Sequence, residues 1–233
     1  MCGRYKLTTP TGVIAEDFNI RAGRLNLAPR WNIAPTQTAP VIRLTESGRA
    51  MSMMRWGLIP SWAKDAKIAF STINARAETV AEKPAFRDAL GHRRALVVAD
   101  GYYEWKSEPG GKQPYLFART DDKPMAFAGL WERWQAPGKN GAADEVVESF
   151  TIIVTAANEL AASVHDRMPV ILDPEHFDMW LDADRHRPQD VLPLLRPWNS
   201  SRMRMHGVSR AINSVKNEGP EVLSETPRQG LLF

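Results

Sequence analysis

A single cysteine, Cys2, stands in 233 residues. Intramolecular disulfides are therefore impossible, and a cysteine-rich tetrahedral zinc site is excluded with them. The five histidines, at 92, 165, 176, 186 and 206, show no metal-ligand spacing, and no HExxH is present. The expectation is a protein without metal or other cofactor. No apolar run approaches the ~20 residues that span a bilayer, so no membrane partner is expected. The opening MCGRYKLTTP lacks the apolar segment of a secretory leader, which predicts a chain that folds and stays in the cytoplasm. Internal repeats and low-complexity tracts are absent too.

What is present is ordinary in bulk and uneven in placement. Hydrophobic residues make up 43% and charged residues 24%, and the length suits one large domain or two small ones. The net charge is only +3. Residues 1–80 hold 11 Lys and Arg against 5 Asp and Glu, a balance of +6, and the remainder holds 19 against 22, a balance of −3. The basic segment also carries Cys2, Trp31, Trp56 and Trp62. Charge for phosphates and flat rings for bases are what a single-strand binding groove needs. Solvated arginines and core tryptophans are the plainer account of the same composition.

Short runs rich in β-branched and aromatic residues predict strands at Ala39–Leu44, Met51–Leu58, Arg94–Trp105, Pro114–Arg119, Met125–Glu132, Ser149–Thr155, Met168–Leu172 and Met203–Val208. Helices are predicted at Thr11–Phe18, Lys83–Leu90, Asn158–Val164, Glu175–Leu181 and Gln189–Leu195, the last two preceded by Pro174 and Pro188. Ser107–Lys112 and Gln135–Asp144 have turn composition and should join neighbouring strands. Many strands without a regular strand–helix alternation predict α+β: a single domain over 1–216 with a curled, mainly antiparallel β-sheet, open and barrel-like, flanked by a few helices. The polar tail, 217–233, is expected to fray.

Position 2 is the informative place chemically. An initiator Met is removable when a small side chain follows, and its loss would leave Cys2 with a free α-amine beside its thiol. Reference pKa values are roughly 7.7–8.0 for the amine and about 8.5 for the thiol. Such a 1,2-aminothiol condenses with an aldehyde: the amine gives a Schiff base, and the thiol then closes a five-membered thiazolidine. Neither a Lys amine nor an internal Cys can close that ring. An incidental small residue near the start is the alternative for a lone Cys at this position.

Six separated motifs then occur in one order: MCGRY at the start, NIAPTQ at Asn32–Gln37, RWGLIPSW at Arg55–Trp62, INARAET at Ile73–Thr79, ADGYYEW at Ala99–Trp105 and HDRMP at His165–Pro169. Together they resemble the SRAP family, the SOS response-associated peptidases, from Cys2 to about residue 215. The resemblance implies a one-domain mixed fold with a positively charged cleft for single-stranded DNA. It implies that Cys2 covalently traps abasic sites, which would place the chain on the nucleoid when bound. The family name itself refers to a proposed autoproteolysis that releases the initiator Met.

By this resemblance Cys2 is the nucleophile. Glu104 protonates the sugar ring oxygen to open it, and a carboxyl among Tyr102, Tyr103 and Trp105 should be partly desolvated. His165 deprotonates the Cys2 amine, imidazole being suited to proton transfer near neutrality. Asn74 orients the amine and the sugar hydroxyls. Arg4, Arg76 and Arg167 are the phosphate candidates, with Arg76 on the face of Asn74 if that segment is extended. Trp62 is the stacking aromatic, while Trp31 and Trp56 are expected in the core and Pro35 and Pro60 at the cleft rim. Asp166 could orient His165, but adjacent side chains often diverge, and it is left aside. The expected partner is single-stranded DNA with an abasic site, met by a monomer. A thiol peptidase with an N-terminal Cys and a non-catalytic single-strand binding module are the two rival functions.

Overall fold

The computed structural model describes residues 2–20, 26–136 and 145–224. Thirteen strands run through them: β1 Tyr5–Leu7, β2 Arg30–Ile33, β3 Thr38–Thr45, β4 Gly48–Trp56, β5 Asn74–Arg76, β6 Arg94–Ala99, β7 Gly101–Glu108, β8 Gly111–Arg119, β9 Met125–Ala136, β10 Glu145–Ala156, β11 Arg167–Pro169, β12 Ile171–Leu172 and β13 Met203–Gly207. Five short helices accompany them: α1 Thr11–Asp17, α2 Arg87–His92, α3 Glu159–Ala162, α4 Phe177–Leu181 and α5 Pro188–Val191. The expected helices all occur, most trimmed at their ends or continued by a 3₁₀ turn, while the one expected at Lys83–Leu90 is shifted to Arg87–His92. No helix among the described residues is long and apolar enough to cross a membrane.

The larger sheet curls until it meets itself. β4, β3, β6 and β9 pair antiparallel in turn, β9 pairs antiparallel with β10, and β10 closes the ring on β4 through a short parallel contact, Ser149↔Arg55 and Phe150↔Trp56. Closure removes the free edges that a five-stranded open sheet would present. β6 shows why the ring forms: all six of its residues, RALVVA, are buried, as expected of a strand covered on both faces. Past the ring, β10 runs on and pairs with β5 on one side and β11 on the other. The second sheet, in the order β13-β8-β7-β1-β2, is wholly antiparallel. The α+β, curled and mainly antiparallel fold predicted from the sequence is the one observed.

The predicted strand Arg94–Trp105 is in fact two, β6 and β7, lying in different sheets. The break falls at Asp100, whose carboxylate accepts the backbone N–H and hydroxyl bonds of both Thr8 and Thr9 and so pins the loop after β1. Gly101 follows because a side chain there would press against the Phe117 carbonyl oxygen. Apolar periodicity does not report such a pivot. The predicted strand Met168–Leu172 is likewise split, into β11 and β12, which pair with different partners, β10 and β9. Three short strands, β1, β2 and β5, had too few residues to give a periodic signal.

The Ser107–Lys112 turn is the β7–β8 hairpin, with Gly110 and Gly111 both at positive φ. Gln135 and Ala136 of the second predicted turn belong to β9; residues 137–144 lie outside the described residues. The tail expected to fray from 217 is docked as far as 224: Pro220–Leu223 forms a 3₁₀ turn and Val222 is fully buried. Residues 225–233 lie outside the described residues.

Arg94, at the start of β6, binds the helices to the barrel. It is buried and donates to four backbone carbonyls, those of Leu90 (3.0 Å), Trp180, Asp182 (3.0 Å) and His186 (2.8 Å). These are the open ends of α2 and α4 and the turn after α4, whose carbonyls have no partner within a helix. Arg94→Met keeps the apolar stem but strands these acceptors, and each stranded buried acceptor costs roughly 1–3 kcal/mol. The expected loss is about 3 kcal/mol or more of unfolding free energy in urea. A variant as stable as the parent would show that the carbonyls find other donors.

Candidate functional site

Cys2 reaches its place through β1. Tyr5 pairs with Tyr102, and Lys6 with Gly101. The Tyr103 N–H donates to the Arg4 carbonyl at 2.9 Å, and the Asp100 N–H to that of Lys6 at 2.8 Å. Continued by two residues, this antiparallel register sets Gly3 across from Glu104. Cys2 is thereby carried to the interior end of the β1–β7 pair, where it is fully buried.

The thiol meets an unusual environment. Burial pushes its pKa up, and the negative charge of Glu104 pushes it further, outweighing the opposing charge of the N-terminal amine and the Arg4 N–H that donates to sulfur. Burial and Glu104 both favour the neutral thiol over the thiolate. Glu104 is itself 4% exposed, so the desolvation expected from its aromatic neighbours is present. Tyr5 and Tyr102 complete the pocket wall. Their phenols are pushed up by burial first and by Cys2 second, and neither hydroxyl has a hydrogen-bond partner among the described residues.

Asn74 sits on β5, opposite Ile152 of β10. Its Nδ2 makes a long 3.4 Å bond to the Ile152 carbonyl, while Oδ1 is buried with no partner among the described residues. A buried amide oxygen left without a donor is an acceptor waiting for one. The Cys2 and Asn74 neighbourhoods are joined by packing. The Tyr5 ring lies 5.2 Å from that of Trp56, and the Trp56 indole N–H donates to the Ile73 carbonyl at 2.9 Å.

His165 follows α3 and opens into β11. Its Nδ1 is 3.0 Å from the Arg167 N–H and 2.8 Å from Asp166 Oδ1. One nitrogen cannot satisfy both at once. A neutral ring accepting from Arg167 carries its proton on Nε2; a protonated ring donates Nδ1–H to Asp166 instead. Asp166, left aside in the sequence because neighbours often diverge, is thus turned onto the imidazole. Arg76 is extended and exposed, as expected if it shares the Asn74 face. Arg167 is ion-paired with Glu78. Burial alone would raise the Glu78 carboxyl, but its own backbone N–H bond, the Arg167 contact and the charges of Arg167 and Arg76 hold it below the usual range. β10 joins β5, with Asn74 and Arg76, to β11, where Arg167 bonds Glu78 and follows His165, while Cys2 and Glu104 lie together at the end of the β1–β7 pair.

Arg4 is turned into the protein. Its Nη1 donates to Asn32 Oδ1 at 2.7 Å and to the Ile212 carbonyl at 2.9 Å, and its guanidinium lies 5.9 Å from the Trp105 ring centre. Trp56 is wholly buried, as read from the sequence, whereas Trp31 is only half-buried against a smaller cluster. Trp62 is 59% exposed, and Phe70, at the end of the 3₁₀ turn Ala66–Phe70, is 67% exposed. Sequence reading passed over Phe70 because a lone Phe in an apolar run reads as core. The available signal was its three-residue spacing from Lys67, which sets the two on one face of a 3₁₀ turn.

Comparison with known proteins agrees across sequence and fold. A family model described as SOS response associated peptidase (SRAP) matches residues 1–215. The Bacillus subtilis (strain 168) protein named Abasic site processing protein YoqW is 41% identical over 228 residues, 96% of this chain and 99% of that one. The Gallus gallus protein named Abasic site processing protein HMCES is 34% identical over 235 residues, 88% of this chain and 68% of that one. A crystal structure of a Bacteroides thetaiotaomicron protein aligns with a TM-score of 0.85 at 25% identity, covering 97% of this chain and 100% of that one.

The buried, proton-retaining thiol has a direct readout. In protein that keeps Met1, Cys2 should react with a disulfide reagent at pH 8 at least about 100-fold more slowly than in the urea-unfolded chain, because thiolate and access are both needed. Equal rates would show that the thiol is not held in this environment.

Proposed function

The chain belongs to the SRAP family, and from that premise we propose that it processes abasic sites in single-stranded DNA by linking Cys2 covalently to the sugar aldehyde. The observation that carries this reading is the placement of Cys2, fully buried beside Glu104 at the end of the β1–β7 pair. A peptidase nucleophile needs a thiolate, which sites of that kind obtain by lowering the thiol pKa. With Met1 still attached, burial and the charge of Glu104 do the reverse. Such a sulfur is suited to act second, after the α-amine has captured the carbonyl.

The sequence of steps balances with the chain's own groups. Release of Met1 frees the Cys2 amine, a fraction of which is unprotonated near neutral pH. The Glu104 carboxylate takes the proton of the closed sugar's C1 hydroxyl and passes it to the ring oxygen, so the C1–ring oxygen bond breaks, the C1 aldehyde opens and Glu104 returns to its carboxylate. The amine adds to that carbon while His165 takes a proton from nitrogen, and the charged imidazole is stabilised by Asp166 at 2.8 Å. Loss of one water gives the imine. The thiol then adds across C=N, sulfur to carbon and proton to nitrogen, and the thiazolidine closes. Because both attacking atoms belong to one residue, closure is intramolecular and fast relative to hydrolysis of the imine. The open acceptor of Asn74, Oδ1, is suited to receive an amine N–H. Imine formation is reversible, so the protein can release itself.

Binding of the strand rests on the exposed rings of Trp62 and Phe70 as base platforms and on Arg76 as a phosphate contact, with Arg4 and Arg167 adding charge from within their protein bonds. Stacking of this kind tolerates any base, as a lesion that has lost its base requires of its reader. One copy of the chain suffices for one lesion.

Intact mass is the decisive measurement. Met1-free protein incubated with a single-stranded oligonucleotide carrying one abasic site should gain a heat-resistant species equal to protein plus DNA less one water. Cys2→Ala should give no adduct while keeping salt-sensitive binding. Cys2→Ser keeps the amine and should give an adduct only when borohydride reduces the imine; a stable unreduced adduct from it would sink ring closure. Peptide turnover without any adduct would favour the peptidase reading. Trp62→Ala and Phe70→Ala should each weaken strand binding by about 5-fold to about 150-fold, the range of ~1–3 kcal/mol per stacked base. Unchanged affinity in filter binding would remove that ring from the strand's path.

A further inference from the structure

The N-terminal strand is held from a direction its own pairing does not supply. Asn32, on β2 and fully buried, uses its whole amide in bonds to other segments. Its Oδ1 accepts from Arg4 Nη1 at 2.7 Å. Its Nδ2 donates to the carbonyls of Asn217 at 2.8 Å and Ser214 at 2.9 Å, with a longer 3.3 Å contact to that of Ile212. The same Arg4 Nη1 reaches the Ile212 carbonyl at 2.9 Å. Beside this knot the Trp105 indole N–H donates to Asn213 Oδ1 at 2.7 Å, and Arg30 holds Glu218 at 2.7 and 3.2 Å. The C-terminal segment 212–218 is thus bound to a residue two positions after Cys2 and to one position after Glu104.

We propose that Asn32 is a positioning residue for the covalent step, tying the strand that carries Cys2 to the C-terminal segment so that the N-terminal amine and thiol stay in register with Glu104. The inference rests on the reading of Cys2 as the linking residue. Asn32 touches no reacting atom; it acts through Arg4 and through segment 212–218. The residue type follows from the geometry. One planar group must accept from a guanidinium on one side and donate to two carbonyls on the other, and only a side-chain amide does both. An Asp would set a carboxylate against carbonyl oxygens, and an apolar residue would leave buried donors and acceptors unmet. A chain end has nothing beyond it to hold it, and near-attack geometry tolerates little displacement, so a fastening outside the β1–β7 ladder is where accuracy can be added.

The test is single-turnover crosslinking of Met1-free protein to an abasic single-stranded oligonucleotide, at a temperature where every variant is folded. Three quantities are read: the saturating rate, the DNA concentration at half-saturation and the final fraction linked. Asn32→Ala should lower the saturating rate at least about tenfold while half-saturation and final fraction stay within about twofold, the pattern of lost positioning rather than lost binding. Asn32→Asp, which keeps the acceptor for Arg4 and loses both donors, should slow the rate in the same way. Glu218→Gln loosens the segment at a half-buried ion pair and should slow the rate by about two- to fivefold with half-saturation unmoved. Wild-type rates in Asn32→Ala would overturn the proposal. So would a reduced final fraction at an unchanged rate, which is what a merely destabilised fold gives. Should Asn32→Ala fail to fold, Glu218→Gln decides, and a wild-type rate in it overturns the proposal. Absence of any Cys2-linked adduct from the wild-type protein would instead remove the reading of Cys2 itself.

Discussion

The Tyr5–Tyr102 pairing between β1 and β7 holds a chain end that would otherwise fray. Only three residues form β1, and an isolated strand of that length has no stability of its own. It persists because it is a central strand of its sheet, between β7 and β2, and because both tyrosine rings are buried. That placement brings Cys2 to Glu104 and removes the thiol from water. A thiolate would be the stronger nucleophile but also the more easily oxidised and alkylated. A fully buried thiol is shielded from both.

The two sheets communicate through rings more than through backbone. Tyr5 and Tyr102 both pack T-shaped against Phe127 on β9, at 6.2 and 6.1 Å, and Tyr5 lies 5.2 Å from Trp56 on β4. Trp56 is also the bridge to Ile73 and hence to Asn74. The barrel is therefore more than a scaffold beneath the site. Its interior aromatics pack between β1, which follows Cys2, and the segment that leads into Asn74. Aromatic packing suits that place, since close-packed rings give little under load.

Polar order is concentrated where chain segments far apart in sequence must meet. Arg94 gathers four carbonyls, Asp100 four donors of Thr8 and Thr9, and Asn32 the C-terminal segment with Arg4. Each is a buried multi-point contact, costly when half made and rigid when complete. The binding face is different. Trp62, Phe70 and Arg76 are exposed, with Trp62 and Phe70 on the loop and 3₁₀ turn between β4 and β5, as suits groups that must meet a partner rather than the core.

The sequence by itself determined the fold class, the main strands and the chemistry of an N-terminal aminothiol, because strand periodicity and the reactivity of Cys2 are local properties. Six ordered motifs also named the family, since they record the positions where side chains are constrained. What only the tertiary structure decided is where the chain changes sheets at Asp100–Gly101, the closure of the barrel through β10 and β4, and the docking of residues 217–224. The burial of the thiol against Glu104, the turning of Asp166 onto His165, the exposure of Phe70 and the knot at Asn32 belong to the same group. Each of these depends on a contact between residues remote in sequence, or on the direction a side chain takes once its neighbours are packed, and neither leaves a mark on hydrophobic periodicity or local composition.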